Sequence, residues 1–151
     1  MPRSITIALD IMSGDNGPSP ALTGAFKSLD LIDDLKIILV GDESLIENKI
    51  HAANKNRVEI VHTDEFIKMD EDLVHAIRNK KKSSMRLAVN CVKEAKAQAC
   101  VSAGNTGALM SISKIISPFK KMNSSSSLSI KSKREPASPF FTFSLWMKIL
   151  I

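Results

Sequence analysis

The sequence has few of the residues that mark metal-bound or disulfide-bonded proteins. It contains two cysteines, Cys91 and Cys100, whose spacing fits no metal site, and its three histidines do not cluster with them. No secretory signal precedes the first apolar run, and no apolar run reaches the length of a membrane span. We therefore expect no metal, no disulfide framework and no spanning helix, and a reducing, cytoplasmic location.

Three familiar glycine signatures are also missing. No GxGxxG follows the first strand-like run, no GxxxxGK[ST] occurs, and no GxSxG occurs. The first absence argues against the usual dinucleotide site, the second against a Walker-type nucleotide site, and the third against a serine-hydrolase elbow. We expect no cofactor.

The charge distribution removes a further class. The net charge is +5, but residues 1–117 hold 15 basic and 15 acidic side chains, whereas residues 118–151 hold 6 and 1. A basic protein is a candidate for binding nucleic acid. Because the excess lies wholly in the last segment, the first 117 residues give no support to a nucleic-acid partner.

Apolar runs and helical patterns alternate through these first 117 residues. Most of the apolar runs are nearly continuous, as in strands covered on both faces, and the third alternates, as an edge strand would. This order predicts an α/β, Rossmann-like open parallel sheet with helices on both faces. The predicted strands are Ile5–Leu9, Lys36–Val40, Arg57–Val61 and Ala99–Ser102. The predicted helices cover residues 19–29 (capped by Ser19), 44–53, 71–78, 84–95 and 106–116.

The stretch Ala99–Met110 is the most informative part of the chain. A short apolar strand leads into Gly104 and Gly107, and Asn105 or Thr106 can cap the helix that follows. A strand, a small-residue turn and a helix present backbone N–H groups to an anion, above all phosphate. The alternative is a plain turn that needs glycine for its backbone angles.

Two other segments are expected near the same crevice. The loop Asp10–Pro18 follows the first strand, and Lys80–Ser84 precedes a helix that Ser83 or Ser84 can cap. Ligands of open α/β sheets bind beyond the carboxyl ends of the strands. The alternatives are that the aspartates only form turns, and that the lysines are a solvated surface run.

The composition changes at Pro118. A run of serines and lysines follows, and then the apolar segment Phe140–Ile151. We expect a domain over residues 1–117 and a divergent tail over 118–151 that is disordered or loosely packed. Its apolar end has no deciding periodicity, and the alternatives are an interfacial anchor, a terminal strand and a sequence never selected to fold here. The composition of the whole tail suggests the hypothesis of a changed reading frame or a truncation.

Three segments together resemble the N-terminal part of the bacterial phosphate acyltransferase (PlsX) family. They are Ala8–Pro18, Lys82–Arg86 and Val101–Met110, and the resemblance runs in order over residues 3–116. One departure is Ser13, where the family usually has a second glycine. The family's chain continues with further strands that are not recognisable after Ile116, so the resemblance implies a fold that is incomplete at the C-terminus.

The resemblance implies transfer of a fatty acyl group from acyl carrier protein to inorganic phosphate, which gives acyl phosphate for phospholipid synthesis. A thioester is already reactive, so the protein must position phosphate and stabilise an oxyanion. On this basis the catalytic candidates are Asn105, Thr106 and Lys82. The candidate phosphate-binding residues are Asp10, Gly14, Asp15, Gly17, Ser83, Ser84, Arg86, Ser102, Gly104 and Gly107.

The candidates divide by role. Lys82 and Arg86 would neutralise charge, Asp10 and Asp15 would order the loop or orient a proton, and Lys80 and Lys81 would dock the acidic acyl carrier protein. The resemblance also implies a homodimer in the intact family. It further implies that the cytoplasmic protein associates peripherally with the membrane. Two alternatives stay open: a shortened, non-catalytic remnant of the enzyme, and a small-anion (phosphate) binding module.

Overall fold

The chain forms one parallel sheet. The computed structural model describes residues 4–116, and the predictions for residues 118–151 lie outside them. The strand order is β3-β2-β1-β4, with every neighbouring pair parallel. The predicted α/β, Rossmann-like class is therefore confirmed. The strands are β1 (Ile5–Asp10), β2 (Leu35–Gly41), β3 (Val58–His62) and β4 (Ala99–Ser102).

In the described part of the chain, four α-helices connect or follow the strands. The first begins at Pro18 and not after a Ser19 cap, because proline has the φ of a first helical turn and Gly17, at φ 66°, supplies the bend before it. The helices are α1 (Pro18–Leu31), α2 (Leu73–Asn79), α3 (Ser84–Lys93) and α4 (Thr106–Ile116).

The helix predicted over residues 44–53 is wrong. Three short 3₁₀ turns lie between Glu43 and Arg57 instead. The Asp42 carboxylate accepts hydrogen bonds from the Ser44 amide and hydroxyl, which closes a tight turn at the start. Asn48, Ile50 and His51 follow in the sequence, and all three residue types are weak helix formers.

The sheet is covered on both faces by apolar side chains. On one face α1 packs Leu22 and Leu29 against Ile37 and Leu39 of β2. On the other face α3 packs Ala88 and Val92 against Ala8, Ile38 and Val40. A third cluster joins α3 to α2 and α4 through Met85, Val89, Ala76 and Ile112. The helix α3 is thus held from both sides, by the sheet and by α2 with α4.

The strand order reverses next to β1. The chain runs from β1 to β2 to β3 in one direction, and β4 then returns to the other side of β1. The last residues of these two strands, Asp10 and Ser102, stand opposite each other in the register. In open α/β sheets a ligand binds at such a reversal, beyond the carboxyl ends of the strands.

Candidate functional site

The buried carboxylate of Asp10 organises the carboxyl end of β1. One oxygen, Oδ1, accepts hydrogen bonds from the amides of Met12 at 3.1 Å and Ser13 at 3.3 Å. The other, Oδ2, accepts one from the Ser102 hydroxyl at 2.7 Å. The Ser102 oxygen in turn accepts a hydrogen bond from the Gly104 amide at 3.2 Å. Asp10 therefore ties the loop after β1 to the turn after β4.

Gly104 is the point at which three segments meet. A Cβ atom at this position would stand 2.5 Å from Ser13 Cβ and 2.8 Å from Met85 Cε. One Cβ at Gly14 would stand 3.3 Å from that of Ala103. The loop after β1, the turn after β4 and the first turn of α3 thus pack directly on one another. The structure brings together the three segments that the sequence placed near one crevice.

The start of α3 is held by two residues that sequence reasoning missed. The Thr63 hydroxyl donates a hydrogen bond to the Lys82 carbonyl at 2.8 Å. Glu65 accepts one from the Lys82 amide on its carboxylate and one from the Ser84 amide on its carbonyl. Both residues follow β3. The one signal in the sequence that could have identified them is their position as polar residues directly after a strand.

The first turn of α3 carries polar groups without a partner among the described residues. Ser83 is the N-cap, yet its side chain accepts no cap hydrogen bond. The hydroxyls of Ser83 and Ser84 are fully buried and unpartnered. No described residue accepts a hydrogen bond from the amides of Met85 or Arg86. Buried polar groups in folded proteins are nearly always paired, so this turn has donors to offer a ligand.

The start of α4 offers a second set of donors. Asn105 is the cap, because its Oδ1 accepts a hydrogen bond from the Ala108 amide at 3.1 Å, and its Nδ2 donates to the Met69 carbonyl. The side chain of Thr106 is exposed and makes no hydrogen bond to a described residue. Gly107 is exposed at the second helical position. The helix start therefore faces solvent beside the Gly104 turn.

The cations near these helix starts differ in how far they are committed. Lys80 Nζ donates to Glu71 at 2.6 Å and to the Phe66 carbonyl at 2.8 Å. That hydrogen bond from Lys80 lowers the pKa of Glu71. The Arg86 guanidinium donates to the Ile77 carbonyl at 3.1 Å, whereas Lys81 and Lys82 are exposed.

A cleft of about 410 Å³ lies beside the Asp10–Gly17 loop, between that loop and residues 66–70. Gly14 and the exposed Asp15 line one side. Phe66, Ile67 and Met69 line the other, and Asn105 holds the Met69 carbonyl. The cleft thus borders both the loop and the segment that contacts the start of α4.

The two cysteines are chemically quiet. Desolvation by burial raises the pKa of the Cys91 thiol, and burial together with the nearby Asp10 raises the pKa of Cys100 to about 12. Neither sulfur is poised to form a thiolate nucleophile. Within residues 4–116, no group of three or more His, Cys, Asp or Glu side chains is arranged to hold a metal ion.

A double-mutant cycle tests the packing at Gly104. The Gly104→Ala variant is expected to lose about 1–3 kcal/mol in the free energy of unfolding, because its methyl group overlaps Ser13. Adding Ser13→Gly should restore much of that loss, since Met85 can move its flexible end. Urea unfolding of the two single variants and the double variant measures the coupling, and additive effects would contradict the contact.

Comparison with known proteins places this sequence in a family. A family model described as fatty acid synthesis protein matches residues 5–131. A phosphate acyltransferase of Shewanella halifaxensis is 51% identical over 116 residues, and one of Shewanella baltica (strain OS155) is 50% identical over 116 residues. In both cases the aligned part is 75% of this chain and 34% of the relative. The chain spans about a third of the length of these curated relatives.

Proposed function

The chain belongs to the family described as fatty acid synthesis protein, and from that premise we propose that it acts in acyl transfer to inorganic phosphate. The donor is a fatty acyl thioester of acyl carrier protein, and the product is acyl phosphate for phospholipid synthesis. The names of the similar Shewanella proteins support the general reaction. The family resemblance of the three loop segments supports the donor.

One observation carries the proposal. At the reversal of strand order, the starts of α3 and α4 are joined through the Gly104 turn, and both have free donors. A helix start attracts anions because its first amides are unbonded and its dipole is positive there. Two such starts beside Lys82 suit a tetrahedral dianion, which needs donors from more than one direction.

The reaction requires little chemistry from the protein. A phosphate oxygen attacks the thioester carbonyl carbon, so an O–C bond forms and the C–S bond breaks. The leaving thiolate takes up the proton that hydrogen phosphate gives up, and the products are acyl phosphate and free thiol. The protein's part is to align the two reactants and to stabilise the tetrahedral oxyanion. The raised pKa values of both cysteines fit direct attack and not a cysteine-bound intermediate.

We assign phosphate contacts to the α3 and α4 starts. Ser83 and Ser84 donate from α3, and at α4 Thr106 donates from its hydroxyl while Asn105, as the cap, orients the first amides. Lys82 neutralises charge, because its side chain is exposed at this point. Arg86 has the same proposed role, with one nitrogen already anchored on α2. In this assignment Asp10, Ser102 and Gly104 shape the site and do not contact phosphate themselves.

The remaining candidates belong to the loop and to the donor side. Gly14 and Gly17, at φ 118° and 66°, give the loop its path, since both angles favour glycine. The cleft beside Asp15 supplies the approach for the thioester arm, whose methylene and amide groups match its mixed lining. We assign the docking of the acidic carrier protein to Lys81 and Lys82, whose side chains are exposed. Lys80 suits that role less well, because its ammonium group is paired with Glu71.

The family resemblance carries the rest of the proposal: residues 1–117 as one domain, a homodimer, and a cytoplasmic location with peripheral membrane contact. No helix within the described part of the chain combines the length and the apolar character needed to cross a membrane.

The α4 start can be tested by removing its cap. The double variant Asn105→Ala, Thr106→Ala is expected to weaken phosphate binding about tenfold or more, because both the amide orientation and a hydroxyl are lost. Isothermal titration with inorganic phosphate at constant ionic strength measures the effect. Lys80→Ala is the matched control and should change affinity by less than about twofold, because Glu71 and Phe66 already occupy its ammonium group.

Circular dichroism must show that the double variant keeps its helices. Unchanged phosphate affinity in a folded double variant would exclude the start of α4 from the site. A larger loss in Lys80→Ala than in the double variant would move the site towards α2.

A second candidate function is phosphate binding without turnover. The apolar side chains of Met110 and Ile115 on α4 are 57% and 56% exposed, and β4 is paired on only one side among the described residues. Phosphate binding by the helix starts requires only the described fold. Alignment of two large reactants requires, in addition, that the residues around the site are held rigidly. Phosphate affinity without thioester cleavage would identify this function.

A further inference from the structure

Ser13 is buried at the centre of the contact between the loop and the turn, with no partner for its hydroxyl. The residue is 2% exposed, and Ser13 Oγ has no hydrogen-bond partner among the described residues. Its amide is held by Asp10 Oδ1 at 3.3 Å, so the residue cannot swing away without losing that bond. The loop therefore fixes a free hydroxyl inside the protein.

The hydroxyl lies over Gly104, immediately before the start of α4. Ser13 Oγ is 3.1 Å from the position that a Cβ of Gly104 would take, and Met85 of α3 approaches the same position. The Gly104 amide is already bonded to Ser102, and Asn105 caps the helix that follows. Ser13 is thus the side chain that stands at the junction of the two helix starts.

A buried hydroxyl without a partner is unfavourable, so each such group requires an explanation, and a bound ligand that completes its hydrogen bonding is one. Filling space does not explain a hydroxyl here, because alanine would fill nearly the same volume without the polar atom. The two buried hydroxyls at the start of α3, those of Ser83 and Ser84, share the same lack of partners. One oxyanion with several oxygens accounts for all three more simply than three separate defects.

We infer that Ser13 is a further ligand-binding residue, whose hydroxyl donates a hydrogen bond to the inorganic phosphate held between the starts of α3 and α4. The inference rests on the proposed function, but it adds a contact from the loop after β1. Serine at this position supplies a donor that glycine lacks.

The test compares phosphate affinity with stability in the full 151-residue chain. Ser13→Ala is expected to weaken binding of inorganic phosphate about tenfold or more, the effect of losing one hydrogen bond to a charged group. Its Tm without phosphate should be equal to or higher than that of the parent chain, because an unpaired buried polar atom is removed. Ser13→Gly is a second variant with the same expected loss of affinity, and Ser19→Ala, exposed on α1, is the control.

The outcomes separate this inference from the proposed function. Weaker binding with an undiminished Tm in Ser13→Ala supports the contact. Unchanged affinity in both Ser13 variants, while Asn105→Ala, Thr106→Ala loses it, overturns the role of Ser13 and leaves the phosphate site standing. A fall in both Tm and affinity indicates a structural role and overturns the inference. No phosphate binding by the parent chain overturns the proposed site and Ser13 with it.

Discussion

Replacing Asp10 with alanine is expected to destabilise the protein by about 3 kcal/mol or more and to abolish phosphate binding. The buried carboxylate accepts three hydrogen bonds, from the amides of Met12 and Ser13 and from the Ser102 hydroxyl. Each bond to a charged group contributes about 1.5–3 kcal/mol, and the orphaned donors would stay buried. Total stability of a domain is only about 5–15 kcal/mol, so the loss is a large part of it.

The neighbouring Asp15 is the matched control. It lies in the same loop but is exposed, so Asp15→Ala should change stability by no more than about 0.5 kcal/mol. Urea unfolding followed by circular dichroism gives both values, and phosphate titration in the folded range gives the affinities. Equal stability losses in the two variants would show that the Asp10 network does not hold the loop to the turn.

The chain by itself is expected to form acyl phosphate at least about 100-fold more slowly than a full-length relative. Apolar surface that is exposed to water destabilises the elements that carry it. A few hundred Å² of such surface is unfavourable by several kcal/mol at about 25 cal/mol/Å². The exposed face of α4 and the half-buried β4 adjoin the Gly104 turn. A displacement of about 1 Å in a reacting group lowers rates by about 10²-fold.

The assay follows acyl phosphate from acyl carrier protein thioester and inorganic phosphate. The Shewanella baltica phosphate acyltransferase serves as the reference, because it is 50% identical over the aligned region. The chain must be monodisperse, so that self-association is not mistaken for inactivity. Turnover comparable to the reference would show that the described fold is sufficient for the site.

The sheet was predictable because its signals are local and strong. Runs such as Ile37–Val40 are apolar throughout, which is the pattern of a strand covered on both faces. The alternating run at Arg57–Val61 indicated a strand near an edge, and β3 lies at one end of the sheet that residues 4–116 form. The 3₁₀ turns after Asp42 were not predictable from apolar spacing, because that spacing does not register the two hydrogen bonds by which Ser44 and the Asp42 carboxylate close the first of them.

The meeting place of the three candidate segments was predictable, and their contacts with one another were less so. Glycine turns after parallel strands identify the crevice, because the carboxyl ends of such strands share one edge. The hydrogen bond between Asp10 and Ser102 depends on the pairing of β4 with β1. The residues next to Asp10 or Ser102 in the sequence do not indicate that pairing. Thr63 and Glu65 make hydrogen bonds to the backbone of Lys82, which is distant in the sequence, so they belong to no recognisable sequence motif.

The pairing of Asp10 with Ser102 also sets when the site can exist during folding. The hydrogen bond joins positions 92 residues apart, and β4 is the last of the strands within residues 4–116. Contacts of such long sequence separation form late, since the closing loop loses its entropy before the contact contributes. A growing chain can align β1, β2 and β3 while the Asp10 carboxylate still lacks Ser102. If the proposed site binds phosphate, its binding would therefore report that β4 has docked against β1, and phosphate would stabilise only chains that have completed this step.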